Sequence, residues 1–134
     1  MPRILPVDDD HDTGGYFAAA NERRLVVRTC LDCGANLHLP RAYCSHCRSW
    51  NTAWRDVEGD GGTLYAWTVV ERPTHPAYPV PYTVVLVDVD GAPGMRLVGY
   101  VSGRPELRAG QAMRLRFDEG GDGVILPNWE PASS

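Results

Sequence analysis

All four cysteines of the chain lie in one stretch: Cys30-Leu31-Asp32-Cys33, ten further residues, then Cys44-Ser45-His46-Cys47. Two residues between paired cysteines make a tight turn that aims both sulfurs at one point. Two such turns facing each other supply four thiolates in a tetrahedron, the arrangement Zn²⁺ takes in structural sites. Gly34 follows the first pair, where the chain needs a residue tolerant of positive φ. Two disulfides would need an oxidising compartment, and no signal peptide is visible, so a cytoplasmic setting is expected. A thioredoxin-like redox motif would need a single CxxC in a βαβ context, which this stretch lacks. Cys30, Cys33, Cys44 and Cys47 are therefore read as ligands of a structural zinc. A catalytic zinc needs an open position, which four cysteines close. His38 and His46 are bystanders, the His46 ring pointing outward.

A chain of 134 residues makes one compact unit, or a small domain with a metal module. No apolar run is long enough for a membrane-crossing helix, so no membrane partner is expected. The formal net charge is −4, and all 13 basic residues are Arg. Residues 59–134 carry six Arg against nine Asp and Glu, so the negative charge sits mainly there. A nucleic-acid footprint needs a clustered basic excess, so no nucleic-acid partner is expected.

Residues 1–12 read as a flexible leader, with Pro2, Pro6 and the solvated run Asp8-Asp9-Asp10. Residues 13–58 read as a short helix and a metal ribbon. Asp12 or Thr13 caps a helix to Arg24, with Tyr16, Phe17 and Ala20 at helical spacing. One short helix is unstable alone, so Tyr16 and Phe17 pack either on this chain or on a partner. Ribbon strands are expected over Leu25–Thr29, Leu37–Pro40 and Trp50–Val57, with Trp50 and Trp54 in core packing over the metal site or the seam. Gly59, Gly61 and Gly62 mark that seam; no GK[ST] follows, which rules out a phosphate loop.

Residues 59–130 read as β, with strands over Thr63–Arg72, Tyr82–Val89, Met95–Ser102, Ala112–Asp118 and Val124–Leu126. Met113, Leu115 and Phe117 alternate with Arg114 and Arg116. Gly99 marks a bulge or a barrel bend. Pro127 begins an exposed tail, and residues 131–134 close the chain. Five short strands of this size suit an OB-fold barrel. The fold class is thus mainly β: an N-terminal helix, a rubredoxin-like zinc ribbon, and a C-terminal five-stranded OB-fold barrel. Between the first two barrel strands, Pro73, Pro76, Pro79 and Pro81 stiffen a loop that carries His75 and Tyr78, flanked by Arg72 and Tyr82. Arg72, His75, Tyr78 and Tyr82 are the candidate ligand-binding residues. No nucleophile–base pair is arranged around His75, so no catalytic residue is assigned. Arg72, Arg96, Arg104, Arg114 and Arg116 are available to phosphates.

These parts stand in a recognisable order: Leu25, Cys30, Cys33, Gly34, Pro40, Arg41, Cys44, Cys47, then Gly61-Gly62-Thr63 and Val98-Gly99. The combination resembles the zinc-ribbon/OB-fold acyl-CoA-associated proteins, the domain of unknown function 35 family, over about residues 13–130. The resemblance implies a non-catalytic accessory subunit in a hetero-oligomer with a thiolase-like aldolase, an acyltransferase or a MaoC-like hydratase. It implies help in binding CoA or acyl-CoA and in assembling the partner enzyme, in some members for steroid or lipid side-chain breakdown. The four cysteines carry over as zinc ligands; no short motif marks a CoA position. The alternative is an OB-fold binder of single-stranded nucleic acid, which would need a basic, aromatic groove.

Overall fold

The computed structural model describes residues 3–132, so the readings of Pro2 and of the last two residues lie outside the described part. Among the described residues one helix, α1 (Gly14–Asn21), precedes eight strands. A three-stranded sheet holds β1 (Val26–Cys30) between β2 (Asn36–Leu37) and β3 (Thr52–Asp56). A five-stranded sheet is ordered β6-β5-β4-β7-β8 and built from β4 (Gly61–Val70), β5 (Tyr82–Val89), β6 (Arg96–Ser102), β7 (Ala112–Gly121) and β8 (Val124–Pro131). The sheet curls until β8 meets β6. In barrel order the strands run first, second, third, fifth, fourth, the Greek-key circuit of an OB-fold.

The β6–β8 seam closes through a side chain. Asn128 lies in β8, 2% exposed. Its Oδ1 accepts from the Tyr100 N–H at 2.6 Å and its Nδ2 donates to the Tyr100 carbonyl at 2.9 Å. One amide thus offers β6 the two bonds a neighbouring strand would offer. Nδ2 also donates to Asp118 Oδ2 at 2.7 Å. Gly99 makes the approach possible. A Cβ there would stand 2.9 Å from Asn128 Oδ1 and 3.2 Å from Trp129 Cβ. The β5–β6 register is regular through Gly99, so the expected bulge is absent there. Register shifts fall instead between Leu64 and Ala66 and between Glu119 and Gly121.

β8 does not stop at Leu126, and Pro127 does not open a tail. Pro127 pairs with Phe117 and Pro131 with Met113. They share parity with Trp129, whose N–H turns to Asn128 Oδ1 rather than to β7. Both missing proline donors therefore fall on the edge facing the seam, where no ladder bond is lost. Trp129, 1% exposed, fills the barrel centre with Leu64, Val85, Val87, Met95 and Met113. Leu115 and Phe117 pack against this core from β7, as their alternation with the arginines requires.

Leu25 and Val27, at and just before β1, join that same core, and Tyr16 and Val57 pack on it. The ribbon and barrel therefore share core residues, and Gly61 and Gly62 pair in β4 with Arg114 and Met113 of β7. The helix packs on its own chain: Asn21 Oδ1 accepts from the Ile125 N–H at 2.8 Å. Thr13 does not cap it with its side chain; the hydroxyl donates to Asp10, and Asp12 accepts from the Ala42 N–H at 2.8 Å. The leader is strapped to the barrel, with the Arg3 N–H donating to the Gly120 carbonyl at 3.0 Å and its guanidinium 3.3 Å from Asp118. Asp8, Asp9 and Asp10 remain exposed, as expected.

Burial alone would raise the Asp118 carboxyl, but Asn128, Arg116 and Arg3 outweigh it and hold the group below the usual carboxylate range. A depressed folded-state pKa gives stability that is present above the unfolded value and lost as pH falls through the folded one. Urea midpoints should fall on acidification below about pH 4, and Asp118→Asn should flatten that dependence. Asn128→Ala leaves the Tyr100 N–H unpaired and its carbonyl with only Arg116 Nη2 at 3.4 Å, and should cost about 2–3 kcal/mol. An unchanged midpoint in Asn128→Ala would contradict the seam's closure by this amide.

Candidate functional site

β1 delivers Cys30 into the first turn and a loop returns Cys44 beneath it; both are fully buried, while Cys33 and Cys47 are exposed. All four sulfurs lie within 4.8 Å of one another, with Cys30–Cys47 and Cys33–Cys44 each at 3.6 Å. A disulfide would need about 2.05 Å. Four sulfurs at about 2.3 Å from one ion stand about 3.8 Å apart at the tetrahedron's edges, so the observed spacing fits Zn²⁺. The backbone completes the cradle. Cys33 N–H points at Cys30 Sγ (3.4 Å), and the His46 and Cys47 N–H groups point at Cys44 Sγ (3.3 and 3.4 Å). Gly34 follows with φ +80°, the conformation its place after the knuckle demands.

Charge makes the same point. The Cys33 amide, with help from the Asp32 amide and Cys47, brings the Cys30 thiol down to about 7. Cys47, despite the Ser49 amide, is pushed up by Cys30 and its neighbours to about 12. Four thiolates so close repel one another, and a dication removes that repulsion. The four cysteines are positioned for the metal of a zinc ribbon.

The surroundings differ from expectation at the tryptophans. Trp50 is 74% exposed and its ring is tilted against Tyr43 with centroids 5.4 Å apart, so it is not in core packing. Trp54 is half-buried beneath α1, with Arg28 5.1 Å over its ring. His46 is exposed; His38 packs on Tyr16, and burial lowers its pKa.

The proline loop carries the second constellation. Tyr82 and Tyr100 point outward from β5 and β6, where Tyr82 faces Ser102 and Val84 faces Tyr100. This diagonal brings the two rings to 5.3 Å. The loop folds Tyr78 onto both, at 6.0 and 5.5 Å, with His75 5.8 Å from Tyr78. His75 Nδ1 accepts from the Ala77 N–H at 3.0 Å, so this imidazole holds the loop's own turn. The structure thus joins three of the four candidates; Arg72 is exposed and makes no ion pair among the described residues. Arg3, 5.3 Å over Tyr100, and Asn128 complete a cleft of about 360 Å³, which sequence reasoning missed. Nothing local in the sequence marks Arg3, Tyr100 or Asn128, because strand adjacency brings them together. Four candidate arginines are committed elsewhere: Arg96 to Asp88, Arg104 to Glu71, Arg114 to Glu130, and Arg116 to Asp118 and Glu130.

A four-cysteine ribbon sharing its core with a five-stranded OB barrel defines a two-part zinc-ribbon/OB-fold protein. Residues 17–51 match the family described as ChsH2, rubredoxin-like zinc ribbon domain, and residues 54–118 match ChsH2, C-terminal OB-fold domain. A solved chain titled Ltp2-ChsH2(DUF35) aldolase is 31% identical, superposes with a TM-score of 0.84, and covers 96% of this chain and 100% of its own. The chain belongs to the DUF35 family of ChsH2-type zinc-ribbon/OB-fold proteins. A DUF35 protein of unknown function from Sulfolobus solfataricus, 15% identical over 76% of this chain and 75% of its own, shares the fold with a TM-score of 0.59. A Thermomonospora curvata protein named probable enoyl-CoA hydratase alpha subunit is 35% identical over an alignment of 126 residues, and the match covers 92% of this chain and 38% of that relative. No helix among the described residues is long and apolar enough to cross a membrane.

Replacing buried Cys44 by Ser removes one of the four thiolates and the acceptor of two backbone N–H groups. Metal analysis of purified Cys44→Ser should show zinc well below one equivalent, with far-UV dichroism reporting loss of ribbon strands. Full zinc occupancy would count against this metal site.

Proposed function

We propose that this chain is a non-catalytic accessory subunit of an acyl-CoA-processing complex, assembled with a thiolase-like aldolase or acyltransferase or with a MaoC-like hydratase. The carrying observation is the end-to-end likeness to the chain titled as part of an Ltp2-ChsH2 aldolase. The relative named as a hydratase subunit supports acyl-CoA chemistry from a second direction. In this reading Cys30, Cys33, Cys44 and Cys47 hold a structural zinc that supplies no chemistry to substrate and fixes the ribbon's shape. The CoA moiety is shared with the partner enzyme. Single-stranded nucleic acid is the weaker reading, because the barrel's arginines are largely matched to carboxylates.

The test is capture from the native host with tagged protein, followed by mass spectrometry. A thiolase-like enzyme or hydratase should be recovered in near-stoichiometric amount. Cys30→Ser should lose zinc and that partner together. Recovery of nucleic-acid machinery without an acyl-CoA enzyme would overturn the reading.

A further inference from the structure

An OB barrel presents its binding face on the second and third strands, between the loop joining the first two strands and the loop joining the last two. Here that face carries Tyr82 on β5, Tyr100 on β6 and Tyr78 on the proline loop. Their planes tilt against one another by 39–60°, which leaves furrows rather than one flat stacking platform. Pro127 and Leu126 floor the same cleft. Arg3 also lines a second cleft of about 450 Å³ at the β7–β8 turn, together with Ala77, Glu119 and Asp122.

The charge there decides what fits. Arg3 and Arg116 share the Asp118 carboxylate, and Arg116 and Arg114 share Glu130. Glu119 and Asp122 are exposed and make no ion pair among the described residues. Those three arginines against two carboxylates leave one positive charge, which the two carboxylates of Glu119 and Asp122 outweigh, so the balance along the rim is negative. A phosphate-bearing strand that stacked on the tyrosines would run against it. Furrowed aromatic walls beside an acidic loop instead match the chemistry that receives polyproline-type segments: the rings take proline or aliphatic residues, and the carboxylates take a flanking Arg or Lys.

We propose that this face is a docking groove for an extended, proline-rich and basic polypeptide segment of a partner protein, with Tyr78, Tyr82 and Tyr100 as its aromatic floor and Glu119 and Asp122 as its charge selector. The stiff loop carrying Tyr78 is already ordered, so little conformational entropy is lost on binding. The groove needs no particular enzyme as partner, so it stands whether or not an acyl-CoA enzyme is captured.

The probe is a synthetic ten-residue peptide of alternating Pro and Leu ending in two Arg, titrated into zinc-loaded full-length protein and followed by amide NMR shifts. Its glutamate-ended counterpart, oligothymidylate and CoA serve as competitors in class. Shifts should map to residues 75–82, 98–102 and 119–127 for the basic peptide alone. Glu119→Gln with Asp122→Asn should weaken the basic peptide about five- to tenfold and remove its salt dependence. Asn tolerates the left-handed conformation of residue 122 (φ 52°), so this variant keeps the turn. Tyr78→Ala, in the loop, should weaken the peptide about tenfold. Equal binding of both peptides, an unchanged affinity in the double variant, or tighter binding of oligothymidylate or CoA at the tyrosines would overturn the proposal.

Discussion

Four thiols gathered within 4.8 Å are the constraint on which the N-terminal half depends. The ribbon has almost no apolar core of its own. Only Cys30, Leu37 and Cys44, with Ala35 beside them, form a buried cluster there. A cluster of that size offsets little conformational entropy, so metal coordination has to supply the ordering free energy. The consequence reaches the other half of the molecule. The β1 residues that lead to Cys30 also bring Val27, with Leu25 just before them, into the barrel core. Metal site and barrel are two ends of one strand.

The barrel solves a different problem. Its last strand carries prolines at two positions of one parity, which deny β6 a regular ladder partner. Asn128 replaces that ladder with one amide, and its other contacts tie the seam to Asp118, Arg116 and Arg3. The N-terminal segment, the seam and the tyrosine face are therefore one connected structure. Arg3 touches all three: its backbone bonds Gly120, its guanidinium meets Asp118, and the same group lies over Tyr100.

What was legible in the sequence was what repeats locally. CxxC spacing gave the four-cysteine cluster, the β7 alternation gave the inward face, and the proline-dense stretch put His75 and Tyr78 in one loop beside Tyr82. What was not legible depends on pairs far apart in the chain. Asn128 reads as part of an exposed tail until β8 lies against Tyr100 of β6, 28 residues away. Pro127 reads as a breaker because only the register shows that its missing N–H faces the seam. Trp50 reads as core by composition, yet it stands at the ribbon surface on Tyr43. Arg72 has the right chemistry for an anion, but its position keeps it apart from the rings it flanks in sequence.

Barrel and ribbon share one buried core, and their outer faces are exposed. Under the proposed function, this chain acts through an enzyme beside it. The most direct test is the steady-state turnover of the captured acyl-CoA enzyme, purified with and without this chain. The account predicts that turnover is low alone, rises when zinc-loaded protein is added, and saturates at a fixed stoichiometry, while this chain alone turns over no acyl-CoA. Full activity of the enzyme alone, unchanged by any amount of this chain, would contradict it.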